Sequence, residues 1–310
     1  MRFGGGEDWG ETMVRKGVEE MRKREFSKQK IFYVMAAWVL FCILFITTFR
    51  SRADHVERQT VELVVFGDSV MGEIRDETAV PVQLEALTGK SIYNAALGGT
   101  SMARQGTEGR AEEARDCLSL AGLAKAVWAE DFGVQKAIKI RESNTEYFPM
   151  VLDGLDKIDF TQVEIILIQQ GLNDFHGGTP LENPQAPYDE HTFLGALRSA
   201  VLVFRKMNPA VRIVLVTPTY TWYPDRGVTC EELDYGGGVM EDYVEAEMRA
   251  AKELGIEVID VYHDFFPHEV WEDWQRYSRD GIHPNEAGRE KLALKIAEVL
   301  EGADERGGIW

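Results

Sequence analysis

Five short runs rich in valine and isoleucine recur along this chain at intervals too long for hairpins: Val61–Phe66, Ser91–Asn94, Val163–Gln169, Val211–Thr217 and Ile256–Val261. Each is nearly continuous in apolar residues, as expected for strands buried on both faces. Between them lie helical patterns at Val80–Leu87, Ser119–Ile140, Glu190–Met207, Met240–Leu254 and Glu286–Leu300. The last is introduced by His283-Pro284-Asn285, residues that suit a helix start. Strands alternating with helices predict right-handed crossovers and an α/β fold, a five-stranded parallel sheet with helices on both faces. Residues 102–160 form a long excursion between the second and third runs and predict a helical insertion.

Length and composition narrow the choice further. The 310 residues are enough for one or two domains with a full core, and 45% hydrophobic residues is too apolar for a disordered chain. Three cysteines rule out a disulfide scaffold. Lys+Arg 34 against Asp+Glu 52 gives a net charge of −18, which argues against broad nucleic-acid binding because phosphates need basic partners.

One segment departs from this average. Residues 31–49 (IFYVMAAWVLFCILFITTF) carry no charge. At ~1.5 Å per residue they would span roughly 28 Å, about the thickness of a bilayer core. The expectation is a single transmembrane helix. Arg22, Lys23, Arg24, Lys28 and Lys30 precede it, whereas only Arg50, Arg52 and Arg58 follow closely, which predicts a cytoplasmic N-terminus. The span is longer than the usual apolar region of a secretory signal and ends in Thr47, Thr48, Phe49 and Arg50 without a clear small-residue cleavage site, favouring an uncleaved anchor. The organisation expected is therefore a cytoplasmic tail (1–30), a transmembrane helix (31–49), a linker (50–60), a catalytic-size domain (61–302) and a short tail (303–310). Residues 61–310 hold 23 basic and 44 acidic groups, so the outer domain is strongly acidic.

In open parallel sheets, ligands bind outside the carboxyl ends of the strands. There the chain reads Phe66-Gly67-Asp68-Ser69-Val70 after the first run, and Asn94-Ala95-Ala96-Leu97-Gly98-Gly99-Thr100-Ser101 after the second. After the third it reads Gly171-Leu172-Asn173-Asp174, and near the end stands Asp280-Gly281-Ile282-His283-Pro284. Each has an ordinary reading as well as a chemical one. A serine after a strand is commonly a helix N-cap, paired glycines a tight turn, and Asn173 a cap. Three residues from His283, the Asp280 carboxylate can accept from Nδ1–H, leaving Nε2 for a hydroxyl.

Taken in order, these segments resemble the four blocks of the SGNH/GDSL hydrolase family, over essentially residues 61–300. Gly67-Asp68-Ser69 resembles the first block, Asn94 to Gly99 the second, Gly171-x-Asn173-Asp174 the third and Asp280-x-x-His283 the last. The resemblance implies a flavodoxin-like three-layer α/β/α sandwich and ester hydrolysis. It implies Ser69 as nucleophile, His283 as general base and Asp280 as the group that orients it. The oxyanion hole would come from the Ser69 and Gly99 N–H groups and the Asn173 side chain, with Gly98 as the alternative to Gly99. Such chemistry needs no cofactor or metal. A hydroxyl requires a base, the base a third group, and the tetrahedral oxyanion preorganised donors; one residue of each type is present.

Other candidates are weaker. His263, Asp264 and His268 lack the tight ligand cluster of a metal site. Cys117 and Cys230 have no spacing that specifies a disulfide. Tyr220-Thr221-Trp222-Tyr223-Pro224 either packs the loop or stacks on a sugar, and packing is the favoured reading. The function expected is an anchored serine esterase removing acyl groups, plausibly O-acetyl, from an extracytoplasmic glycan or wall polymer. The alternatives are an acyltransferase using the same triad, or a non-catalytic binding protein on the same fold.

Overall fold

In a computed structural model the described residues are 58–105, 114–138 and 146–305, together with Trp38. The described α/β unit begins at Arg58. The expected span 31–49, the tail 1–30 and most of the linker 50–60 lie outside the described residues, Trp38 excepted. Among the described residues no helix is long and apolar enough to cross a membrane.

The five expected strands form one sheet: β1 (Leu63–Gly67), β2 (Ile92–Asn94), β3 (Ile165–Gln169), β4 (Arg212–Val216) and, after a small hairpin, β7 (Glu257–Ile259). Their order is β2-β1-β3-β4-β7 and every neighbouring pair is parallel. That is the flavodoxin-like arrangement, with its topological switch point between β1 and β3. β1 and β3 are buried at every position, which explains why both read as unbroken apolar runs.

Helices α1 (Ser69–Gly72) and α2 (Val80–Thr88) follow β1; α11 (Glu286–Glu305) packs on α2. Within the excursion lie α3 (Ala114–Cys117), α4 (Leu120–Ala129), α5 (Gly133–Lys136) and α6 (Phe148–Leu155). A short α7 (Leu172–His176) leaves β3, α8 (Phe193–Met207) precedes β4, α9 (Met240–Leu254) precedes β7, and a short α10 (Trp274–Tyr277) precedes α11. α4 and α9 both pack on α8. Right-handed crossovers place α2 and α11 on one face of the sheet and α4, α8 and α9 on the other. Phe66 of β1 stacks on Phe204 of α8 with ring centroids 5.2 Å apart, joining a helix layer to the sheet.

Several expectations need correction. The pattern over Ser119–Ile140 is not one helix. Ser119 caps α4, accepting from the Gly122 N–H at 3.1 Å, but Glu130 turns left-handed (φ 52°) and ends it. The turn lets Phe132 return to the core, so burial of one aromatic outweighs helical continuity. At the other end α11 runs on to Glu305, beyond the expected boundary at residue 302. Trp222–Tyr223 (β5) and Val228–Thr229 (β6) form an antiparallel hairpin that short apolar runs did not announce.

Candidate active site

The carboxyl ends of β1 and β3 meet at the switch point, and Ser69 and Asn173 come from the turns that leave them. Asp68 caps α1, its Oδ1 accepting the Val70 N–H at 2.9 Å. The capping role that a serine at this turn could have filled is thus taken by the residue before it. Ser69 Oγ is free to meet His283 Nε2, at 3.1 Å.

His283 is held by the turn from Ser278 to Pro284. Asp280 Oδ2 lies 2.7 Å from His283 Nδ1, while Asp280 Oδ1 accepts the backbone N–H groups of Ile282 (2.9 Å) and His283 (2.7 Å). Partial burial pushes the Asp280 carboxyl up, but the His283 N–H, the imidazole and the Ile282 N–H together hold it below the ordinary value. Gly281 sits at φ 94°, where a Cβ would lie 2.4 Å from the Trp222 carbonyl oxygen; the Trp222 N–H in turn donates to Gly281 O at 2.9 Å. The unexpected hairpin therefore buttresses the turn that carries the imidazole. Tyr220, Trp222 and Tyr223 are all buried, which favours the packing reading of that aromatic segment.

Around Ser69 four N–H donors differ in how they are engaged. The Ser69 and Gly99 backbone N–H groups have no partner among the described residues. Gly99 is exposed and at φ 75°, a left-handed conformation that favours glycine. The Gly98 N–H, by contrast, donates to the Tyr147 hydroxyl at 3.1 Å. Asn173 Nδ2 donates to Thr100 O at 3.0 Å, and a carboxamide keeps a second N–H beyond that bond. Asn173 is not the cap of α7; that position is Gly171, at φ 132° against Pro218.

Beneath this surface lie buried carboxyls. Asp174 accepts the N–H groups of Met102 (2.8 Å) and Ala103 (3.0 Å), fixing the segment that follows Gly99. Burial pushes Asp174 up to about 7, against those two hydrogen bonds, and burial likewise pushes Asp68 to about 7. His176 is half-buried against the Tyr223 hydroxyl (2.7 Å), and desolvation lowers its pKa to about 4, so it stays neutral.

Two charged neighbours were not singled out from sequence. Glu73, one helical turn after Ser69, has Oε2 3.7 Å from His283 Nε2, and Arg279 pairs with Glu73 while its Nε stands 3.8 Å from Asp280 Oδ2. The spacing of Glu73 from Ser69 was the available signal. The weaker candidates lie elsewhere: His263 pairs with Asp260 (Nδ1 to Oδ2, 2.8 Å), His268 stacks on Tyr220, and Cys117 and Cys230 are both buried and are not joined to each other by a disulfide.

A base hydrogen-bonded to a serine, oriented by a carboxylate and facing unpartnered N–H groups, is an arrangement for acyl transfer. The family model of GDSL-like lipases/acylhydrolases matches residues 65–291, from the middle of β1 into α11. The chain belongs to the GDSL-like lipase/acylhydrolase family. Its activity class is that of a serine hydrolase acting on carboxylic esters. No curated protein matches the chain. Among solved structures, a protein from Lactobacillus plantarum shares 18% identity at a TM-score of 0.53, covering 79% of this chain and 99% of its own. A possible lipase from Chitinophaga pinensis shares 16% at a TM-score of 0.52, covering 79% and 98%. At these identities the likeness is one of fold, and it spans the α/β domain of this GDSL-family member.

Proposed function

We propose that this GDSL-family protein is a membrane-anchored serine esterase that removes acyl groups, O-acetyl in the first instance, from an extracytoplasmic glycan or cell-wall polymer. The observation that carries the reading is the 3.1 Å contact between Ser69 Oγ and His283 Nε2, with Asp280 on the far side of the ring. Ser69 Oγ attacks the ester carbonyl as its proton passes to Nε2. The oxyanion is received by the Ser69 and Gly99 N–H groups and the Asn173 carboxamide. Collapse expels the sugar oxygen, which takes the proton from Nε2 and leaves an acyl-serine. Water, deprotonated by the same nitrogen, then releases the acid and restores the hydroxyl.

Asp280, Glu73 and Gly99 are exposed and the His283 side chain is one-quarter exposed, so the reacting atoms sit at an open rim. An open rim suits an ester that projects from a larger polymer. Anchoring rests on the uncharged stretch 31–49, and orientation on the basic residues before it.

The test is turnover of a chromogenic acetyl ester and of an acetylated glycan by the full chain in detergent. Ser69→Ala and His283→Ala should each abolish most activity, and the double variant should be little worse, because residues that act as a unit are not additive. Losses that multiply would separate the two residues into different steps and defeat the reading.

A further inference from the structure

The Gly98 N–H is engaged while the Gly99 N–H is not, and the group that engages it comes from the excursion between β2 and β3. Tyr147 immediately precedes α6, far in sequence from either catalytic loop, yet its hydroxyl accepts the Gly98 N–H at 3.1 Å. The ring is braced from the other side. The Arg75 guanidinium lies over the Tyr147 face, 4.1 Å from its centroid. The same guanidinium donates to three carbonyl oxygens: Gly72 (3.1 Å), Asn94 (3.3 Å) and Ala96 (2.6 Å).

These contacts tie the turn that bears Ser69 to the loop that bears Gly98 and Gly99. Asn94 adds a second tie, donating to Met71 O at 3.0 Å and accepting the Ala96 N–H at 3.0 Å. The fit is close: a Cβ on Gly72 would lie 2.7 Å from Ala96 O and 3.1 Å from the Tyr147 hydroxyl. Among the described residues no carboxylate pairs with Arg75. Burial disfavours its charge, and the neighbouring Tyr147 works against that penalty. A half-buried cation with a planar fork, spending its donors on backbone carbonyls, is a structural brace rather than a surface charge.

We propose that Tyr147, braced by Arg75, is a positioning residue: by occupying the Gly98 N–H it fixes the loop so that the next N–H, that of Gly99, is the backbone donor to the oxyanion. This rests on the esterase reading above. Catalysis by such donors depends on their being held where the charge develops, and a displacement of about 1 Å can cost ~10²-fold. Tyr147 touches no reacting atom, so its effect falls on the transition state and not on ester binding.

The experiment compares wild type, Tyr147→Phe and Arg75→Lys as full chains, with the acetyl ester as substrate and phenylboronic acid as inhibitor. The boronate forms a tetrahedral adduct on the serine hydroxyl and so reads the oxyanion donors directly. Tyr147→Phe keeps the ring and loses only the acceptor; its kcat should fall roughly ten- to a hundredfold with KM within about threefold. Inhibition should weaken by a similar factor at an unchanged melting temperature. Arg75→Lys removes the stacked fork and should act in the same direction, which keeps the test open if Tyr147→Phe folds poorly. Variants that match wild type in kcat and in boronate inhibition overturn the proposal. So does a kcat loss that tracks melting temperature while inhibition stays put, since that is a stability effect. If wild type neither turns over nor binds boronate at Ser69, the esterase reading fails first and this inference with it.

Discussion

Glu73 stands 3.7 Å from the same His283 nitrogen that meets Ser69 at 3.1 Å, and Arg279 holds it there. The hydroxyl donates to Nε2 within hydrogen-bond range, while the carboxylate stands just outside it and can accept from that nitrogen only when the ring is the imidazolium.

Removing the restraint should let Glu73 win. In Arg279→Ala the carboxylate is free to close on Nε2 and hold the ring as the imidazolium, which cannot take the serine proton, so kcat should fall. Glu73→Gln in the same background should restore much of it. The cycle should show a coupling of ~0.5–3 kcal/mol in kcat, the range for residues that share a partner. Stability should hardly move, because exposed ion pairs contribute little. Purely additive effects on kcat would show that Glu73 does not compete.

Asn173 and Asp174 are neighbours with opposite assignments. As an oxyanion donor, Asn173 bonds more strongly to the charged transition state than to the ester, so Asn173→Ala should lower kcat by ~10²–10³ with KM little changed. Asp174 carries the Met102 and Ala103 N–H groups. Asp174→Asn leaves one of those donors poorly satisfied and should cost ~1–3 kcal/mol of stability, with a much smaller loss in kcat per folded molecule. Thermal melts and steady-state kinetics on both variants separate the cases; a folded Asn173→Ala enzyme near wild-type kcat removes Asn173 from the site.

Glu247, on α9, is fully buried with both carboxylate oxygens unpartnered, and burial raises its pKa well above the ordinary value. The unfolded chain therefore releases this proton at lower pH than the folded one. Its contribution to stability is greatest below the unfolded pKa and is lost as pH rises toward the folded one. Asp68 and Asp174, raised to about 7, act in the same sense between about pH 4 and 7. Glu247→Gln imitates the protonated form, so its melting temperature should fall less than that of wild type between pH 5 and 8. Each kcal/mol of relief is worth ~2–4 °C in a domain of this size. Parallel curves for the two proteins would show that Glu247 ionises without penalty.

Topology is testable without any knowledge of substrate. If the basic residues lie on the cytoplasmic side, as proposed, protease added to spheroplasts should reach the chain beyond residue 50 and spare residues 1–30. Cleavage of the N-terminal tail alone would invert the arrangement.

Much of the fold was legible because its central strands are buried on both faces. Val163–Gln169 and Val211–Thr217 could be read as central strands because Ile165–Ile168 and Ile213–Val216 run unbroken in apolar residues, and α9 matched its expected bounds because a surface helix keeps an apolar stripe. The broken helix after Ala129 and the β5–β6 hairpin were not legible. Both are set by what the segment packs against, Phe132 in one case and the Gly281 turn in the other, and no local periodicity records a distant partner.

The site divides in the same way. The sequence by itself determined the residue types and their order at strand ends, and the Asp280–His283 spacing, because a turn of four residues fixes its own geometry. Only the tertiary structure decided that Asp68 and not Ser69 caps α1, that Gly98 is engaged and Gly99 free, and that Glu73 lies beside His283. Each of those depends on groups brought together from distant parts of the chain or on competition between adjacent ones for a single hydrogen bond. Ser69 and His283 are 214 residues apart. Their contact exists because a parallel sheet gathers the carboxyl ends of its strands along one edge, a consequence of packing that no stretch of sequence carries alone.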